Sequence, residues 1–281
     1  MLSDTHNDFF TKLDSLKCVK YLENCKRMSV KNLLCSVFSS EYTKTQALHK
    51  ICEADRTLKD FDEKNFLLHI EDLSFVQDTK DNDFILSLRP FSCSLTWNND
   101  NQFAGGNFGN SGLLPRGKKM IEQMEEHGII LDTAHLNRES FFEAVKTTGK
   151  PIFCSHTGLD FVCPSPRNLS DRQVETIIES GGYFGLFLSS TFMNSGKQMT
   201  SRTFAEIIYK TLCRFDCENN LGIGSDFFGI DIPPKDINFY TDFAKVEEEL
   251  LLFGITKSTI NKIFYKNFEN FLAKTKAPPP L

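Results

Sequence analysis

The sequence predicts an α/β chain folded as a single (β/α)8 barrel of the TIM type, and three observations predict it. Short β-branched or apolar runs alternate with helical stretches, the mark of parallel βαβ units. Eight such runs occur with no strong internal boundary, which favours a closed barrel over an open doubly wound sheet. The length of 281 residues is close to the roughly 250 at which such barrels fold as one unit.

Taken in order, the predicted strands are Leu2–Thr5, Asn32–Phe38, Phe66–Ile70, Ile85–Thr96, Ile129–Asp132, Pro151–Ser155, Tyr183–Leu188 and Leu221–Ser225. Helical periodicity is expected over Thr43–Asp60, Gly117–Glu126, Arg138–Thr147, Ser170–Glu179, Ser201–Cys213, Phe243–Leu252 and Lys257–Lys274. Ser170 and Gln173 stand at capping-box spacing, and Thr256 or Ser258 can cap the last helix. The barrel domain is assigned to residues 1–273. A frayed, proline-rich tail is assigned to 274–281, because Pro278-Pro279-Pro280 cannot be helical.

Composition excludes several classes. Forty per cent hydrophobic and 25% charged residues make an ordinary globular mixture, not a disordered one. A net charge of −5 argues against a nucleic-acid partner. No apolar run approaches the ~18 residues of a membrane span, and the start MLSDTHNDFF has no secretory signature. The nine cysteines form no CxxC pair, so free thiols in a reducing cytoplasm are expected. The 27 phenylalanines are assigned to core packing, without a functional signal.

The chemistry shows in position. His6 and Asp8 follow the first predicted strand, Glu71 the third, and Trp97 and Asn98 the fourth. His135 lies just past the fifth, His156 ends the sixth, and Asp226 ends the eighth. Barrel active sites are built by the loops at the C-terminal ends of the strands, so these residues would converge on one cleft. Imidazoles and carboxylates suit zinc and similar divalent ions. Three histidines with two or three acids exceed one tetrahedral ion and suit two ions bridged by a carboxylate and a hydroxide. In a strand, residues two apart face one side, so His6 and Asp8 could reach the same ion.

Blander readings apply elsewhere. His49 falls within a helix and reads as a surface or packing residue. His127 precedes Gly128 at a helix end, where a cation complements the dipole. His69 shares a strand face with Glu71 and reads as a supporting hydrogen-bonding group rather than a ligand. Asp226 alone would read as a turn aspartate, and Arg167 alone as a solvated loop arginine. The glycines around Asn107 and Asn110 lack the Lys-Ser/Thr pair of a phosphate-binding loop.

Together the motifs Asp4-Thr5-His6-Asn7-Asp8, Ile70-Glu71, Leu95-Thr96-Trp97-Asn98, Leu131-Asp132-Thr133-Ala134-His135, Phe153-Cys154-Ser155-His156, Arg167-Asn168-Leu169-Ser170-Asp171 and Gly222-Ile223-Gly224-Ser225-Asp226-Phe227 resemble the membrane (renal) dipeptidase family of zinc metallopeptidases. The resemblance runs over nearly the whole chain. It implies that His6 and Asp8 bind one zinc, that His135 and His156 bind the other, and that Glu71 bridges both. It further implies that Arg167 holds the substrate's carboxylate and that Asp226 is the catalytic acid/base. Two positions depart from the family pattern. Trp97 stands where the family often has histidine, and its indole can donate one hydrogen bond but cannot carry a proton. Phe228 replaces the second acid of the usual Asp-Phe-Asp-Gly.

The expectation is therefore a cytoplasmic hydrolase that cleaves dipeptides with a hydroxide bridging two divalent ions, zinc first among them. A small dipeptide is its partner, a homodimer is one assembly open to it, and neither nucleic acid nor membrane is expected. Trp97 and Asn98 join Arg167 as substrate contacts. The rival readings are a metal hydrolase of another small amide or lactam and a metal-binding protein without turnover. A barrel nuclease is disfavoured by the acidic charge and the His-x-Asp form.

Overall fold

A computed structural model describes residues 1–276 of the chain. Eight strands are paired parallel in the order β1 to β8: β1 Leu2–Asn7, β2 Val30–Phe38, β3 Phe66–Glu71, β4 Ser92–Ser94, β5 Ile130–Asp132, β6 Phe153–Thr157, β7 Tyr183–Leu186 and β8 Leu221–Ile223. The ring nearly closes. Asn7 bridges Phe227 in parallel fashion, Asp226 donates its amide to the His6 carbonyl at 3.0 Å, and Asp8 donates its amide to the Phe227 carbonyl at 3.0 Å. The buried Asp4 carboxylate reinforces this seam. It accepts from the Ser225 amide at 2.7 Å, the Ser225 hydroxyl at 2.6 Å and the Tyr240 hydroxyl at 2.7 Å. The chain is thus the single-domain TIM-type barrel that its alternating pattern predicts.

Most helices also fall where periodicity places them. Arg138–Thr147 and Phe243–Leu252 keep their expected limits. Gln173 accepts the Ser170 amide at 3.0 Å, completing the capping box, and the Thr256 hydroxyl caps the last helix by accepting from the Thr259 amide at 3.2 Å.

Two readings need correction. The run Ile85–Thr96 is not one strand: Thr79–Leu88 is a helix and only Ser92–Ser94 is extended. Asp78 starts that helix by accepting from the Lys80 and Asp81 amides. Arg89, at φ 52°, ends it just before Pro90. The apolar Ile85 and Leu86 belong to the helix's buried face, which an apolar run alone cannot distinguish from a strand. The helix Ser15–Arg27, capped by Asp14, has no counterpart among the expected elements. The last helical stretch carries a π turn at Lys262–Lys266 and continues to Lys276. The rest of the expected tail, 277–281, lies outside the described residues.

The end of the barrel opposite the strand C-termini is plugged. Phe153 and Tyr183 from β6 and β7 pack with Phe268, Phe271 and Leu272 of the final helix. With that end filled, access is left to the opposite mouth, where the loops after the strands converge.

Candidate active site

Each expected site residue reaches this mouth. Asp8, Glu71, Trp97, Asn98, His135, His156, Arg167 and Asp226 line one cleft of about 340 Å³, and His6 lies fully buried at its floor. Glu71 is the central group. Its Oε2 is 3.5 Å from His6 Nε2, and its Oε1 is 3.0 Å from His135 Nε2 and 3.7 Å from His156 Nε2. His6 Nε2 also faces Asp8 Oδ2 at 3.5 Å, while His135 Nε2 and His156 Nε2 stand 3.1 Å apart.

Local backbone explains how side chains so distant in sequence point inward. β1 ends at Asn7, so Asp8 is not a strand residue. It occupies the N-cap of the short helix Phe9–Lys12, yet its side chain makes no capping bond and turns toward His6 instead. His135 and Asp226 both have left-handed backbone, at φ 67° and 58°. For non-glycine residues this conformation is costly, and it tends to cluster at functional sites. Gly229 makes room for two carboxylates. A Cβ there would stand 2.2 Å from Asp226 Oδ1 and 2.3 Å from Asp8 Oδ2. We therefore expect Gly229→Ala to push these carboxylates apart and weaken cation binding by ~10–100-fold, as displaced supporting groups do. A chelator-competition titration checks this, and unchanged affinity would show the space to be incidental.

The histidines are oriented from behind. Asn98 Oδ1 lies 3.2 Å from His135 Nδ1, Ser155 Oγ lies 2.8 Å from His156 Nδ1, and Ser36 Oγ lies 3.2 Å from His6 Nδ1. With each Nδ1 engaged, each Nε2 is turned to the common centre. Asn98 thus lines the cleft while touching His135 directly. His69, read as a supporting group, stands with His6 and Asp132 in a third set whose ligand atoms lie within 4.8 Å of one another. Its Nδ1 is 2.9 Å from the Ser92 hydroxyl, and its Nε2 is 3.5 Å from Asp132 Oδ2. His49 is exposed, and His127 caps a helix end with Nδ1 2.8 Å from the Gln123 carbonyl.

The electrostatics suit cations. Burial, reinforced by the nearby Arg167, draws His135 down to about 4. Burial together with His6 and Arg167 draws His156 well below its ordinary value. Both rings are therefore neutral near pH 7 and present lone pairs. Burial works against charge on both Glu71 and His6, but their mutual attraction, with Asp8 beside the ring, prevails: the Glu71 carboxylate is held well below its usual range and the His6 ring well above its own. Burial, aided by Asp8 and Glu71 against the pull of His6, pushes Asp226 well above its usual range. His6 Nε2 and Asp8 Oδ1 are buried without hydrogen-bond partners. Ligand atoms of His6, Glu71 and His156 lie within 4.8 Å of one another, as do those of His6, Asp8 and Asp226. These donors fit divalent ions in type and in spacing.

Arg167 is buried beside this cluster. It donates to the His156 carbonyl at 3.1 Å, reaches His135 Nε2 at 3.1 Å, and lies over the Phe187 ring at 5.2 Å. It is therefore not the solvated loop arginine of the bland reading. The cleft walls also correct the assignment of phenylalanine to packing alone: Phe38, Phe187, Phe192 and Phe228 join Trp97 there. Trp97 packs edge-on to Phe38 at 5.0 Å and lies 6.1 Å from the His135 ring. Sequence inspection missed Ser36, Asp132 and Ser155 as supporting groups. Asp132 and Ser155 stand inside the quoted motifs, but small polar residues in a strand give no separate signal.

The family model for membrane dipeptidase (peptidase family M19) matches residues 86–277. That segment includes His135, His156, Arg167 and Asp226; His6, Asp8 and Glu71 precede it. A protein of Klebsiella pneumoniae described as an uncharacterized protein in the pqqA 5′ region is 26% identical over 195 residues, 66% of this chain and 70% of its own length. An uncharacterized dipeptidase of Schizosaccharomyces pombe is 30% identical over 164 residues, 55% of this chain and 40% of its own length. Among solved structures, a metallopeptidase of family M19 described as dipeptidase AC superposes with a TM-score of 0.82 at 19% identity, covering 98% of each chain. A Rhodobacter sphaeroides metallopeptidase bound to a phosphinate mimic of the dipeptide L-Ala-D-Ala superposes with a TM-score of 0.78 at 19% identity, covering 98% of this chain and 99% of the other.

Proposed function

Because the chain belongs to the membrane dipeptidase family, peptidase family M19, we propose that it hydrolyses the peptide bond of dipeptides with two divalent cations, zinc foremost. The observation that carries this reading is the placement of Glu71. Its two oxygens face different histidines, His6 on one side and His135 with His156 on the other. That supports His6 and Asp8 as ligands of one ion, His135 and His156 as ligands of the other, and Glu71 as the bridge. Such cations, when bound, would polarise an amide carbonyl and lower the pKa of a bound water.

The chain's own groups supply the rest. Asp226, buried and above its usual range, takes a proton from the attacking water and passes it to the leaving amine. Asp226 also offers a carboxyl oxygen that can accept a hydrogen bond from the substrate's ammonium. Arg167 turns its fork to the far carboxylate, giving up its contact with His135. Holding both ends of a short substrate converts binding energy into orientation. The Trp97 indole can donate one hydrogen bond toward the carbonyl region but cannot relay a proton. That position supports the second reading, a preference for another small amide or lactam.

Elemental analysis of metal content with a hydrolysis panel on the same sample tests the proposal. We expect two ions per chain, cleavage of dipeptides and loss of activity on chelation. A two-zinc preparation inert toward dipeptides but active on acylated amides or lactams would favour the second reading. One inert to the whole panel would point to metal binding without turnover. In Arg167→Ala, substrates with a free carboxylate should bind at least ~10-fold more weakly, the loss of a charge-assisted contact, while C-terminal amides are spared. Equal losses on both would remove Arg167 as the clamp. The free state of all nine cysteines supports a reducing, cytoplasmic location. Among the described residues no helix is long and apolar enough to cross a membrane.

A further inference from the structure

We propose that Ser155 is a positioning residue that sets the ring tautomer of one histidine in each half of the metal centre at once, with Asp132 holding its hydroxyl proton. This rests on the ligand assignment proposed above and adds a device beneath it. Ser155 Oγ is 2.8 Å from His156 Nδ1 and 3.4 Å from His6 Nδ1, and it donates its own proton to Asp132 Oδ2 in a short hydrogen bond. A hydroxyl has one proton and two acceptor lone pairs. With the proton committed to Asp132, both lone pairs face imidazoles and can only accept. His6 and His156 must then carry hydrogen on Nδ1, which leaves Nε2 to the centre of the site. The two rings lie close, tilted by 33° with centroids 3.7 Å apart, so one oxygen beneath them can serve both.

Ser155 has little room to move. Asp132 Oδ1 accepts the Ser155 amide at 2.9 Å and the Ala134 amide at 3.0 Å. The Thr5 hydroxyl donates to the Ser155 carbonyl at 2.5 Å. The neighbouring strands press on the same carbonyl: a Cβ at Gly224 would stand 2.0 Å from it, and one at Gly185 would stand 2.3 Å away. Behind Asp132, His69 Nδ1 lies 2.9 Å from the Ser92 hydroxyl and 3.1 Å from the Ser92 carbonyl, and its Nε2 is 3.5 Å from Asp132 Oδ2. Ser36 provides an internal contrast, because of the two rings its hydroxyl is placed against His6, at 3.2 Å.

The test is a chelator-competition titration of zinc on the whole chain, resolving the two binding steps, with folding checked by thermal melting at saturating zinc. Ser155→Ala is expected to weaken both steps by ~10–100-fold, the usual cost of removing a histidine's supporting partner. Ser36→Ala is expected to weaken one step. Should Ser155→Ala fail to fold, Asp132→Asn carries the test. Its amide oxygen can keep the two backbone contacts while its NH2 donates to Ser155 Oγ, so the hydroxyl proton is driven toward the imidazoles and both steps weaken. Weakening of one step only in Ser155→Ala, or unchanged affinity in either variant, would overturn the role of Ser155 and leave the dipeptidase reading standing. A wild-type chain that binds no zinc would sink both.

Discussion

Asp226→Asn should lower turnover by at least ~100-fold, the range of general acid–base catalysis, with both ions retained. Asparagine keeps the size of the side chain and one acceptor oxygen, so the packing against Gly229 and the approach to Asp8 survive. What it loses is the capacity to take up and release a proton. Asp226 is suited to that task by its surroundings: it is held with φ at 58° in the turn just past β8, and burial with Asp8 and Glu71 favours its protonated form. A carboxyl raised toward neutrality is the kind that serves as an acid and a base in one cycle. Steady-state turnover measured beside metal content on the same sample checks this. Near-normal turnover would release Asp226 from the role.

Glu71→Gln should have the larger effect, with activity down by at least ~10³-fold, the upper range for removing one electrostatic stabiliser, and no more than one ion retained. Glu71 is the one carboxylate within 4.0 Å of all three clustered histidines among the described residues. Glutamine keeps its shape but removes the negative charge that offsets two cations in a buried site, and an unneutralised buried charge is strongly unfavourable. One of its two facing atoms also becomes an NH2, which cannot be a ligand. Elemental analysis reads the stoichiometry, and activity in excess zinc separates weak binding from lost chemistry. Retention of both ions at wild-type affinity would show that Glu71 is not the bridge.

The alternating runs carried the architecture because each barrel strand is short, apolar and followed by a helix whose period differs from its own. Where that contrast faded, the reading failed. Ile85 and Leu86 are as apolar on a helix as they would be on a strand, and only the Asp78 cap and the left-handed Arg89 decide between them. The site histidines were legible because strand ends in a barrel share one rim, so position in the chain translates into position in space. Phe187 and Phe192 were not, since an aromatic residue in a cleft wall and one in a core look alike in sequence.

By itself the sequence determined the eight-fold alternation, the single domain and the set of imidazoles and carboxylates at strand ends. Those follow from local periodicity and from residue chemistry, which need no contacts to be read. Only the tertiary structure decided that Arg167 is buried, that Asn98 turns to His135, that Gly229 clears space for two carboxylates and that one hydroxyl serves both His6 and His156. Each of these depends on distances between segments far apart in the chain, and closing the barrel is what sets such distances.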